Sequence, residues 1–211
     1  MIIKVFFEDK PVFLCDEITS SIHSYLHHPD AIFIDEISAP AINSLFHEIV
    51  KPDFHVGILW NSNFDKLRKA FYKHFSIVQA AGGLVKNEDD DILFIFRKGK
   101  WDLPKGKKDA DEEAKECALR EVKEETGLLT VKVSGKICST YHTYQEFGKR
   151  ILKETEWFDM KATSQQELAP QTEEDIQKVE WVNKSNLSER LKKAYPLIVD
   201  VVVSSGIDIK I

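Results

Sequence analysis

Glu121, Glu124 and Glu125 occupy positions i, i+3 and i+4. In a helix, at about 100° per residue, such positions fall within roughly a 100° arc of one face. Carboxylates this close repel one another. In a half-buried site they are costly unless a cation sits among them. Hard oxygen donors at that density suit Mg²⁺ or Mn²⁺, and Mg²⁺ is usually completed by waters and substrate phosphates. The residues just before are basic: Arg97, Lys98, Lys100, Lys105, Lys107 and Lys108 crowd a chain that is acidic elsewhere. Lysines neutralise phosphate oxygens as point charges. A metal and lysines set against a polyphosphate form the electrostatic arrangement of phosphoryl or nucleotidyl transfer. Tyr141, His142 and Tyr144 follow on a strand. Strand alternation puts Tyr141 on one face and His142 with Tyr144 on the other, where one ring can stack on a base or meet a phosphate.

The elements that must position these groups are readable from periodicity. A helix is expected over about 111–126, with Gly127 as its C-cap. Ala114 and Cys117 share the acidic arc, and Ala118, Leu119 and Val122 face the core. Before it come strands over 77–85, containing Gly82 and Gly83, and over 92–96, joined by a charged turn; residues 97–108 read as a basic loop. After it come two longer strands over 129–144 and 151–161, a polar loop or frayed helix over 164–177, and a short strand over 179–182. A closing helix runs from Ser185 or Asn186 to about Tyr195.

The first 75 residues read as a small α/β module. Strands are expected at 2–7, 12–15 and 54–60, a short apolar run at 31–34, and helices at 41–50 and after Asn63 or Ser62. Alternating strand and helix suggests some parallel pairing. The expected division is thus 1–75, of unknown role, and 76–211.

Composition narrows the function classes. The chain has 211 residues, 43% hydrophobic and 30% charged, with net charge −6. There is ample material for a core, and binding of extended nucleic acid by general positive charge is not expected. Cys15, Cys117 and Cys138 form no CxxC pair, so neither a disulfide scaffold nor a cysteine zinc site is expected. Cys117 reads as a small packing residue. The apolar run 1–7 ends at Glu8, and 197–203 is broken by Asp200. No signal peptide or membrane span is expected, and the cytoplasm is the expected location. His23, His27 and His28 read as surface histidines. His47-Glu48 is followed at position 51 by lysine, which excludes an HExxH zinc site.

One stretch carries a family resemblance. It reads Gly106-x5-Glu112-x7-Arg120-Glu121-Val122-x-Glu124-Glu125-x-Gly127-Leu128. It resembles a complete Nudix box, and chance agreement at its fixed positions is on the order of 10⁻⁶ per chain at average residue usage. The resemblance covers about 76–200, with Ala81-Gly82-Gly83, the loop Trp101 to Gly106 and Glu180-Trp181-Val182 also similar to Nudix domains. It implies an α/β/α sandwich around a mixed sheet, preceded here by the α/β module. It also implies Mg²⁺-dependent (or Mn²⁺-dependent) hydrolysis of a pyrophosphate bond in a nucleoside diphosphate linked to another moiety. A dinucleoside polyphosphate or nucleoside triphosphate is the expected substrate.

Residue by residue, the resemblance implies that Glu121, Glu124 and Glu125 bind metal. Arg120 holds a box carboxylate by a bidentate pair, and Glu112 supports the metal ligands from behind or through water. Glu121 or Glu124 is a candidate base. So is a glutamate in the loop before the last strand, where Glu173 and Glu174 stand. Lys98, Lys105, Lys107, Tyr141 and His142 are the candidate substrate contacts. The resemblance also leaves room for a homodimer, and for a catalytically silent module that senses a nucleotide through the N-terminal region.

Overall fold

A computed structural model of the protein describes residues 1–209. The chain forms two compact units that do not follow consecutive stretches of sequence. One comprises Met1–Val78 with Tyr141–Lys153; the other comprises Gln79–Thr140 and the chain from Glu154 onward.

The first unit contains β1 (Ile2–Phe7), β2 (Lys10–Cys15), α1 (Ser20–Leu26), β3 (Ala31–Ile34), α2 (Ala39–Ile49), β4 (Val56–Trp60) and α3 (Phe64–Tyr72). β1 and β2 form an antiparallel hairpin, and β4 lies parallel to both β2 and β3. Pro11, expected in the turn, instead lies inside β2 opposite Phe6. Pairing of β2 with β4 begins one residue later, at Val12, so the missing N–H costs no ladder bond to β4. On its other edge β1 pairs in parallel with residues 141–143. The apolar stripes of α2 and α3, including Ile42, Leu45, Leu67 and Phe71, pack on Val5, Val12 and Leu59. Both helices start with a side-chain cap: Ser38 accepts from the Ala41 N–H at 3.3 Å and Asn63 from the Lys66 N–H at 3.0 Å. Helix α1 is absent from the expectations. It is short and buries only Ile22, so its sequence carries no amphipathic period.

The second unit contains most of β5 (Ser76–Lys86), then β6 (Ile92–Arg97), β7 (Lys100–Asp102), β8 (Lys105–Lys107) and α4 (Ala114–Thr126). Parts of two long strands, β9 (Lys132–Glu146) and β10 (Lys149–Lys161), follow, and then β11 (Ile176–Val182), α5 (Lys184–Leu191) and α6 (Pro196–Ser204). Its strand order is β11-β6-β5-β10-β9, with β7 paired to β6 and β8 to β5. Successive strand residues point to opposite faces, and the packing shows it. Leu84, Phe94 and Trp157 join Leu187, Ile198 and Val201 of α5 and α6. Their neighbours Val85, Leu93 and Phe158 join Ala118 and Val122 of α4. Helices therefore cover both faces, which makes this unit an α/β/α sandwich.

Four expectations shift. Residues 97–108 are not simply a loop but carry β7 and β8. Helix α4 begins at Ala114 rather than 111, because Asp111 has a left-handed backbone (φ 64°) and cannot start a helix. Leu119 is half-buried rather than in the core. The apolar run 197–203 becomes the second closing helix, α6, with Pro196 in its first turn. Its valines favour strands, and burial of Ile198, Val201 and Val202 overrides that preference. No described helix is long and apolar enough to cross a membrane.

Candidate active site

Helix α4 is fixed at both ends. The Glu113 N–H donates to the Glu116 carboxylate at 3.4 Å, and Gly127 ends the helix with φ 78°. Between them, the face turned toward β8 carries the acidic side chains at graded depth. The side chain of Glu125 is 2% exposed, that of Glu121 14% and that of Glu124 48%.

Arg120 organises this face. Its Nε and Nη2 each lie 2.9 Å from an oxygen of Glu112, a bidentate pair. Its Nη1 donates to Glu121 at 2.7 Å and to Glu124 at 3.0 Å, and Nη2 also reaches the Lys107 carbonyl at 3.1 Å. One guanidinium thus ties three carboxylates to the strand in front of them. That strand, β8, comes close because residue 106 is glycine: a Cβ there would overlap the Glu121 carboxylate.

Arg120 sets the protonation of Glu112. The forked hydrogen bonds from Arg120 stabilise its charged form and hold the carboxyl down at about 2. A depressed carboxyl contributes stability that is present above its unfolded value and lost as pH falls through the folded one. The pair is partly solvated, so the expected contribution is about 1 kcal/mol. Urea unfolding of wild type and Glu112→Gln checks this. The wild-type advantage is expected near pH 6 and should vanish as the pH approaches 2. An advantage independent of pH would contradict the assignment.

Glu125 is held differently. Burial pushes its carboxyl up to about 7, opposed by the Lys105 charge, the Lys105 N–H and Arg97. Its Oε2 accepts the Lys105 N–H at 2.9 Å, and its Oε1 lies 3.4 Å from Arg97 Nη1.

A family model for the NUDIX domain matches residues 77–200, more than half of the chain and all of the region just described. The chain belongs to the Nudix family. Among curated relatives, an mRNA-decapping enzyme subunit 2 of Arabidopsis thaliana is 28% identical over 57% of this chain and 32% of its own length. A putative 8-oxo-dGTP diphosphatase of Bacillus subtilis is 46% identical over 28% of this chain and 40% of its own. The chain therefore spans about a third of the length of the first of these and two fifths of the second. A solved C. elegans Ap4A hydrolase is 19% identical, covers 61% of this chain and 95% of its own, and superposes with a TM-score of 0.48.

Within this Nudix domain the structure brings together Glu112, Arg120, Glu121, Glu124 and Glu125 of the box. The lysines divide. Lys107 is exposed and its backbone joins the Arg120 cluster. Lys98 sits exposed in the left-handed turn between β6 and β7. Lys105, expected to meet substrate, turns its side chain inward: it is 10% exposed, and its Nζ lies 2.9 Å from the Asp102 carboxylate. What Lys105 presents to the acidic cluster is its backbone N–H. Tyr141 and His142 belong to the first unit, where Tyr141 packs against the core around Phe71. His142 and Tyr144 share a face, their rings 5.9 Å apart.

Glu174 ends a single 3₁₀ turn, Thr172–Glu174, and pairs with Arg97 at 3.6 Å; Glu173 is exposed and within 3.5 Å of the Thr172 hydroxyl. The sequence marks Arg97 only as one of several basic residues. Its link to both Glu125 and Glu174 has no local signal, because β6–β11 pairing brings up one and the packing of α4 the other.

Proposed function

We propose that the chain hydrolyses a pyrophosphate bond in a nucleoside diphosphate linked to another moiety, with a divalent cation carried by Glu121, Glu124 and Glu125. The observation that supports this best is the acidic face of α4, on which Arg120 ties Glu121 and Glu124 to the backbone beside Gly106.

The donor set fits a hard divalent cation. Three carboxylates from one helical turn offer only oxygen, and no sulfur or imidazole ligand competes among them. Among the described residues no three His, Cys, Asp or Glu side chains are grouped as a ready-made cage. Arg120 holds one oxygen of each of Glu121 and Glu124 and offsets part of their mutual repulsion. Bound there, Mg²⁺ or Mn²⁺ polarises a phosphate and lowers the pKa of a water.

The chain's own groups do the rest. Water oxygen attacks phosphorus, the bond to the bridging oxygen breaks, and the water's proton passes to a carboxylate. Glu124, Glu173 and Glu174 are all exposed, the first and last at 48% and 55%, with Glu121 less so. Lys107 and Lys98 are exposed and suited to phosphate oxygens. Cys117 takes no part as a nucleophile, since burial pushes its thiol up to about 12.

The substrates favoured are dinucleoside polyphosphates and nucleoside triphosphates, with capped RNA added by the decapping relatives. All are nucleotide-linked, as are the substrates named for the curated relatives. The test is a panel of diadenosine polyphosphates, nucleoside triphosphates, diphosphoinositol polyphosphates and capped RNA, each with Mg²⁺ or Mn²⁺, run in ¹⁸O-water with products identified by mass. Metal-dependent splitting of one phosphoanhydride is expected. Tight binding of a nucleotide without turnover on any member would replace the hydrolase by a sensing module.

A further inference from the structure

We infer that Arg97 is a positioning residue that holds Glu174 beside the box helix; this rests on the hydrolase reading above. Arg97 closes β6, and the strand register places it opposite Ile176, the first residue of β11. The turn carrying Glu174 therefore lies next to Arg97 by strand pairing alone. From there the guanidinium reaches two ways: Nη1 lies 3.4 Å from Glu125 Oε1, and Nη2 lies 3.6 Å from Glu174 Oε2.

Three further features support a built arrangement. The Arg97 side chain is only 16% exposed, so packing limits its rotamers. The chain leading to the turn is tied to the end of α4, where the Ala169 N–H donates to the Thr126 carbonyl at 2.9 Å and the Gln171 N–H to the Glu125 carbonyl at 3.4 Å. Asp175 then takes a left-handed backbone (φ 60°), and the β6 pairing shifts register between Ile176 and Lys178. Irregularities of this kind re-aim side chains beside active sites.

The chemistry suits arginine. A planar fork can face two carboxylates with different nitrogens, whereas a lysine offers one point charge. Glu125 is too buried to meet an attacking water, and Glu174 is not. A glutamate that exposed would sample many rotamers in solvent. Anchored through Arg97 to the buried Glu125, it spends more time where a water bound against α4 can pass it a proton.

A double-mutant cycle tests the inference on whichever substrate the panel identifies. Glu174→Gln should lower kcat about 10²-fold, and Arg97→Gln about tenfold, with KM within about twofold in each. Adding Arg97→Gln to Glu174→Gln should cost less than about twofold more, because the residues act as one unit. Arg97→Lys should recover part of the loss. Multiplying effects, or full turnover by Arg97→Gln, would overturn it. Hydrogen exchange gives an answer independent of turnover. The Glu174 and Asp175 amides, bonded to Gln171 and Thr172 at 3.1 Å, should exchange faster in Arg97→Gln. Unchanged exchange there sinks the positioning role, while an inactive wild type sinks only the hydrolase reading.

Discussion

Glu124→Gln should lower turnover by at least about 10²-fold and leave the fold intact. Glu124 is the most exposed of the four box carboxylates, and it accepts a 3.0 Å bond from Arg120. Glutamine keeps the size and the rotamers and removes the charge. An exposed ion pair of this kind contributes at most about 1 kcal/mol, and Arg120 keeps its pairs with Glu112 and Glu121. One carboxylate fewer also relieves repulsion on a face crowded with them. The thermal midpoint should therefore move by no more than a few degrees, roughly. The expected loss lies in kcat and in the affinity for Mn²⁺, read by titration of the paramagnetic ion. Wild-type turnover in this variant would remove Glu124 from the mechanism.

The second large effect separates space from conformation. In Gly106→Ala the new methyl group meets Glu121 Cδ and both of its carboxylate oxygens. Gly106 is not among the glycines with positive φ, so alanine suits the backbone and only the space is taken. What must give is the end of a flexible side chain, and the stability cost should be modest, about 1 kcal/mol. Glu121 cannot then keep its 2.7 Å bond to Arg120, and turnover should fall by about 10²-fold or more. Gly127→Ala is the contrasting control. There φ is 78°, and the added Cβ meets the Ala169 backbone nitrogen at 2.7 Å, which is not free to move. Stability should fall further in Gly127→Ala, by roughly 1–3 kcal/mol, and more of its activity should survive per folded molecule. Urea unfolding beside kcat measurements decides between the two patterns; equal stability losses would mean that Gly106 is conformational after all.

Much of the domain was legible because its signals are local. The acidic arc of α4 follows from helical period, and its end from Gly127. The paired strands β5 and β6 follow from apolar runs on either side of a charged turn. In that turn the Asn87 side chain accepts the Asp89 and Asp91 N–H groups. The basic stretch was legible in charge but not in direction. Pairing of β8 with Ala80, Ala81 and Gly82 faces the Lys105 side chain inward, toward Asp102. Lysine at a short edge strand is otherwise a solvent-facing residue, and nothing within a few positions signals the reversal. Tyr141 shows the same limit: alternation separates it from His142, but the register with Val5 of β1 is what carries it into the first unit's core.

The sequence alone determined the chemistry on offer: three carboxylates on one helical turn, an arginine and a fourth glutamate to steady them, and glycines at the helix flanks. Spacing within a helix is set by backbone geometry that neighbouring residues share, so it survives without knowledge of the fold. The tertiary structure decided which carboxylate is buried, which lysine is withheld from solvent, and that Arg97 stands between Glu125 and Glu174. Those facts depend on β6, β8 and β11 finding their partners across long separations in the chain, and pairing of that kind is selected by the packing of the whole sheet rather than by any short stretch of residues.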